Sequence, residues 1–157
     1  GLTRRAPGEA PSDSPERLSG ERPKYERSGL GVSEMAELEA EIARRMGEDR
    51  PWLDPEFNLQ DLADGLGCPR NRLSQVINAR FGVNFFDFVN GYRVKEVQRL
   101  MAEPGSDRYK ILALALDAGF ASKNTFNAAF KKFAASTPSQ YWKSLTEGRD
   151  KKSGANG

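Results

Sequence analysis

From Ser33, the stretch SEMAELEAEIARRM places Met35, Leu38, Ile42 and Met46 on one stripe with charged residues between them. That helical period predicts a helix with Ser33 as its N-cap. GEDRPWLDPEF interrupts the pattern through Pro51 and Pro55. Asn58 is then expected to cap LQDLADGLG, with Asp61 in the first turn and Gly67 as a left-handed C-terminal residue. RNRLSQVINARF follows with Leu73, Val76, Ile77 and Phe81 facing inward. After Asn84, FFDFVNGYRVKEVQRLM turns Phe85, Phe88, Val89, Tyr92, Val97, Leu100 and Met101 toward a core, and EPGSD ends this longer helix through Pro104 and Gly105. ILALALDAGF comes next, then SKNTFNAAFKKF with Phe126, Phe130 and Phe133 recurring. A short helix in TPSQYWK has Pro138 at its first position. No segment alternates with period two, so the expected class is all-α, with about seven helices.

Two parts of this pattern match each other. Ala63 and Gly67 correspond to Ala115 and Gly119; after the turn, Leu73, Ile77, Asn84 and Phe88 correspond to Phe126, Phe130, Thr137 and Tyr141. The register shifts by one residue inside the second turn and then holds. Each copy has a short helix with a small Ala where two helices cross, a Gly turn, a second helix and a capped third element. That is a helix-turn-helix arrangement, present twice and joined by the long helix near Phe85–Met101.

The outer faces of the second helices share a composition. Arg70, Asn71, Ser74, Gln75 and Asn78 lie outside in the first copy, and Lys123, Asn124, Asn127, Ala128 and Lys131 in the second. No Asp or Glu occurs from Arg70 to Arg80 or from Ser122 to Lys132. Ordinary surface helices favour Glu and Lys over Asn. Asn and Gln can instead pair bidentately with adenine, Lys and Ser or Thr can meet guanine or phosphate, and small side chains can meet the thymine methyl. The plainer reading is a solvated face that happens to lack acids.

Charge sharpens the contrast. Residues 1–30 hold 6 Lys+Arg and 5 Asp+Glu, residues 31–69 hold 3 and 10, and residues 70–157 hold 15 and 7. A net of +8 in the last segment suits a polyanion, and a fortuitous spread of solubilising charge is the alternative. The chain has no histidine, which removes Ser-His and Cys-His catalysis and the usual zinc ligands. Asp61 and Asp64 read as solvated helix carboxylates. No catalytic residue, metal site, cofactor or small-molecule ligand is expected in this segment, and the chain is not expected to be an enzyme. Cys68 is the single cysteine; it points to a reducing compartment, and its reading is either a small buried side chain or a reactive thiol.

The first thirty residues hold four prolines and few large apolar groups, which predicts a disordered linker over 1–31. A folded domain is expected over 32–146 and a flexible tail over 147–157. A chain that starts in a linker is expected to be part of something longer. No apolar run approaches the roughly 18 residues of a membrane span, and no signal-peptide pattern appears.

Residues from about 58 to 143 resemble the DNA-binding domain of AraC/XylS-type bacterial transcription regulators. The signature is in ILALALDAGFASKNTFNAAFKKFAASTPSQYW, where Gly119-Phe120, Ser122, Phe126, Phe130-Lys131, Thr137-Pro138 and Tyr141 stand where that family's second motif has them. The resemblance implies two helix-turn-helix units on a rigid linker helix, with both second helices entering successive major-groove segments of double-stranded DNA, roughly 34 Å apart. It implies base reading by Asn71, Ser74 and Gln75 in the first unit and by Lys123, Asn124, Thr125, Asn127 and Ala128 in the second. Arg70, Asn78, Lys131 and Lys132 are then expected at phosphates, which position without specifying sequence. Trp142 stands where the family has a basic residue, Pro69 replaces a capping serine, and Arg93 is expected to be tied to the acidic 31–69 segment rather than to phosphate. The implied partners are RNA polymerase and an N-terminal sensor domain of the parent chain. KYERSGL resembles linkers in members whose N-terminal part is membrane-embedded, so the location expected is cytoplasmic with a parent anchored in the inner membrane. The reading from a different class is a helical interaction module whose basic face binds an acidic protein.

Overall fold

The structure, a computed structural model, describes residues 31–156. Residues 1–30 of the linker expected over 1–31, KYERSGL included, lie outside the described residues. Two compact units divide the chain, residues 1–40 and residues 41–157.

The described part of the first unit is the opening of helix α1, Val32–Glu48. The helix begins one residue before Ser33, so Ser33 lies in its first turn and is not the N-cap. Gly31 takes that place: its carbonyl accepts from Met35 N–H at 3.0 Å, and its own N–H donates to Glu34 Oε1 at 3.1 Å. The Glu34 carboxylate supplies the reach-back half of a capping box, satisfying the cap residue's own N–H, while Gly31 has no side chain to accept from the first turn.

In the second unit, Ile42 and Met46 of α1 are fully buried, and the indole N–H of Trp52 donates to Met46 O at 2.8 Å. Trp52 lies in a 3-10 turn, Pro51–Leu53. Helix α2, Leu59–Leu66, opens with the reciprocal bonds expected of Asn58: Asp61 N–H to Asn58 Oδ1 at 2.9 Å, and Asn58 N–H to Asp61 Oδ2 at 3.2 Å. Helix α3, Arg70–Val76, runs into a π-helical turn, Ile77–Phe81. Helix α4, Phe85–Ala102, is capped by Asn84, whose Oδ1 accepts from Asp87 N–H at 2.8 Å. Helices α5, Ile111–Asp117, and α6, Lys123–Ala134, form the second copy, with Ser122 capping α6.

Helix α7 runs from Pro138 to Asn156. Thr137 and Gln140 exchange cap bonds at 3.1 and 3.2 Å at its start. It outlasts the short helix expected in TPSQYWK because no proline after Pro138 removes a backbone donor. The described residues are all-α, with seven α-helices and no strand.

The repeat is visible in the backbone. Cys68 N–H donates to Ala63 O at 3.1 Å, and Phe120 N–H donates to Ala115 O at 3.1 Å. Gly67 and Gly119 both hold positive φ, 68° and 104°. The N-caps that follow are Pro69 and Ser122, so the extra residue falls after the matched bond. Ala63 and Ala115 are fully buried, as are Ile77 and Phe130. In the second copy an aromatic chain runs Phe120, Phe126, Phe130, Tyr141, with centroids 5.3, 5.8 and 5.4 Å apart. Phe133 does not join it. It is 41% exposed, because its place one turn beyond Phe130 turns it out of the core and over Gly91 of α4.

Candidate nucleic-acid interface

Helix α3 keeps Leu73 and Val76 buried, and this leaves Arg70 and Asn71 exposed, with Ser74 and Gln75 half-buried. Its N-cap Pro69 accepts no side-chain bond. Asn78 is exposed on the π turn, and its Nδ2 donates to Ser74 O at 2.8 Å. The amide is therefore steered along the helix surface.

Helix α6 buries Phe126, Ala129 and Phe130, so Lys123, Asn124, Asn127, Ala128, Lys131 and Lys132 come out on the opposite face. Thr125 is half-buried and belongs to the cap: Ser122 Oγ donates to Thr125 Oγ1 at 3.0 Å and accepts from Thr125 N–H at 3.2 Å. Lys132 Nζ pairs with Asp87 Oδ2 of α4 at 2.6 Å. Of the residues expected at phosphate, Lys132 is thus the one already matched to a carboxylate.

Two clefts flank α6. One, of about 410 Å³, is lined by Asn124, Thr125, Ala128 and Lys132 together with Phe86 and Asn90 of α4. The other, of about 590 Å³, places Lys123, Asn127 and Lys131 beside Leu112, Thr137 and Ser139. Its wall includes the start of α7, where the N–H groups of Thr137 and Gln140 are already taken by the cap bonds and Pro138 has none; the positive dipole end of the helix and the two lysines favour an anion there. The structure thus brings the second set of expected readers together around one helix and lays the first set along α3.

Three features of the site escaped the sequence reading. Phe86 is 62% exposed beside the second set, although it sits in an apolar run. The signal was its register, out of step with Phe85, Phe88, Val89 and Tyr92. Asn90 is buried with its Oδ1 unpaired in the protein, an orphan acceptor at the same cleft. Thr137 and Ser139 flank the α7 N-terminus and share the other cleft with Lys131.

Arg93 does not face outward. It is buried, with Nε 2.7 Å from Trp52 O and Nη2 2.9 Å from Asp54 O. It is tied to the 31–69 segment, through backbone carbonyls. Burial lowers its pKa, and the nearby Asp54 acts in the opposite direction. Trp142 is half-buried against the second core. Burial pushes the Cys68 thiol up, with Arg72 opposing, which favours the inert reading of that residue. Among the described residues no helix is long and apolar enough to cross a membrane.

A family model described as a helix-turn-helix domain matches residues 62–144. Among solved structures, the chain is similar to the C-terminal domain of the two-component response regulator YesN from Fusobacterium nucleatum. The identity is 25%, covering 68% of this chain and 98% of that one, with a TM-score of 0.57. It is similar in fold to the C-terminal domain of AraT, a response regulator from Geobacillus stearothermophilus, at 23% identity, 66% and 84% coverage and a TM-score of 0.56. A Listeria innocua protein of unknown function is similar in fold at 20% identity, 68% and 94% coverage and a TM-score of 0.56. No curated protein matches the chain.

Proposed function

This chain belongs to the AraC-type helix-turn-helix family, and from that premise we propose that it is the sequence-specific output domain of a larger transcription regulator. The domain binds DNA in transcription regulation. Residues 32–146 form the binding domain, and α3 and α6 enter successive major-groove segments on one face of the duplex. Asn71, Ser74 and Gln75 read one part of a bipartite site. Lys123, Asn124, Asn127 and Ala128 read the other, with Thr125 orienting the start of α6 through its cap bond. Arg70, Asn78 and Lys131 hold phosphates, and Lys132 does so by exchanging Asp87 for a phosphate oxygen. No step of catalysis, no metal and no small ligand is assigned to this segment. RNA polymerase and a sensor domain preceding this segment are its protein partners, and it works in the cytoplasm, with the parent anchored in the inner membrane.

The observation that carries this reading is the acid-free outer face of two helices that follow matched turns. A carboxylate there would meet phosphate repulsion, and amides there suit base edges. Selection from a randomised duplex pool, followed by gel shift at two salt concentrations, tests it. Enrichment of a bipartite motif with parts one turn apart, and affinity that falls steeply with salt, is the expected result. No enrichment, together with tight binding to an acidic protein, would replace it with the interaction-module reading.

A further inference from the structure

Arg93 is the meeting point of three segments that are far apart in sequence. From α4 it donates to the carbonyls of Trp52 and Asp54, in the turn that leads into the first helix-turn-helix unit. Its guanidinium lies 6.0 Å from the centroid of Phe120, in the turn of the second unit. Gly119, in that same turn, comes so close that a Cβ on it would stand 2.2 Å from Trp52 O and 2.9 Å from Arg93 Nε. The second unit's turn is therefore seated directly on the Trp52–Leu53 peptide, with Arg93 filling the corner. Both acceptors are backbone carbonyls, which hold a position more rigidly than side-chain carboxylates on rotatable stems.

The two readers must meet a duplex whose steps are about 3.4 Å and about 34–36° per base pair. A joint between the units that yields by a few ångströms accepts the neighbouring spacing; one that does not yield rejects it. We infer that Arg93 is a positioning residue that fixes the second reader relative to the first, and that it thereby determines which spacing between the two half-elements the protein accepts. The inference rests on the bipartite reading proposed above.

The test measures affinity for the selected duplex, for versions with one or two base pairs inserted or removed between the half-elements, and for each half-element alone. Wild type, Arg93→Met and Arg93→Lys are compared, with Lys95→Met as a control at an exposed position of the same helix. Wild type is expected to prefer the correct spacing over a half-element by about a hundredfold, the gain that geometry-matched linkage supplies. Arg93→Met is expected to lose about tenfold on the correct spacing and to discriminate spacing by only a few fold, with half-element affinity unchanged. Arg93→Lys, which keeps the charge and can reach one carbonyl, should fall between, and Lys95→Met should keep the wild-type spacing profile. If Arg93→Met fails to fold by circular dichroism, Arg93→Lys carries the comparison. A folded Arg93 variant with the wild-type spacing profile overturns the inference, as does a variant that loses half-element binding in equal proportion. Wild type that binds no bipartite duplex overturns the DNA reading and this inference with it, and so is told apart from a failure at Arg93 alone.

Discussion

Asn127 and Lys131 stand one turn apart on the outer face of α6, and they are expected to fail in different ways. Asn127→Ala should relax preference at a single base at a cost of about 1–3 kcal/mol if its contact is bidentate. Lys131→Ala should weaken all duplexes alike and lower the salt slope by about one. Binding measured across a panel of single-base variants separates the two, and identical profiles would contradict the division into readers and anchors. On the inner face, Phe126 is 2% exposed and Phe133 is 41% exposed. Phe126→Ala is therefore expected to destabilise the fold by about 3–5 kcal/mol. Phe133→Ala should cost about 1 kcal/mol or less, since only part of its surface is removed from water. Urea denaturation in the absence of DNA measures both. The sequence grouped these phenylalanines together because a period of three to four alone does not say how wide the buried stripe is. The exposed, acid-free outer face of α6 was legible for the opposite reason: a missing carboxylate is a feature of composition and needs no contact to be seen.

At the scale of elements, local chemistry decides what can be read in advance. Asn58 and Asn84 cap their helices as expected, because an Asn bond to the N–H three residues on is closed within one turn. Replacing either with Ala should cost about 1 kcal/mol. Ser33→Ala should change stability by no more than about 0.5 kcal/mol, because Ser33 lies inside the first turn of α1. Thermal melts of the three variants check this, and a Ser33 loss equal to the Asn58 loss would restore the serine as the cap. The matched turns were legible too, since Ala63, Gly67, Ala115 and Gly119 each serve a contact within their own unit. The acceptors of Arg93 were not: Trp52 O and Asp54 O belong to backbone that any sequence could supply. Only tertiary packing brings them there. The length of α7 escaped for a milder reason, as a polar segment without proline is weakly committed either way.

Across the second unit, Glu96 ties α4 to the segment ahead of the first helix-turn-helix. It is buried between Arg50 at 2.8 Å and Arg99 at 2.8 Å. Hydrogen bonding to Arg99 is the first cause holding its carboxyl below the usual carboxylate range, with Arg50 adding to it and desolvation opposing. Its contribution is complete above the ordinary carboxylate pKa and is lost as pH falls through the lower, folded value. Glu96→Gln is thus expected to cost about 2 kcal/mol at neutral pH, with the deficit shrinking as the solution is acidified. Denaturation series at several pH values give the comparison, and a deficit that grew with acid would reverse the assigned sign. The 31–69 segment meets the linker helix through the carbonyls of Trp52 and Asp54 and through Arg50, while residues 70–157 keep their excess of positive charge. The claim at the centre is that α3 and α6 act on one duplex together. Hydroxyl-radical footprinting on the selected duplex tests it most directly. Two protected patches one helical turn apart on the same face are expected, with the patch under α6 lost selectively in Asn127→Ala at low protein concentration; a single patch, or two on opposite faces, would contradict it.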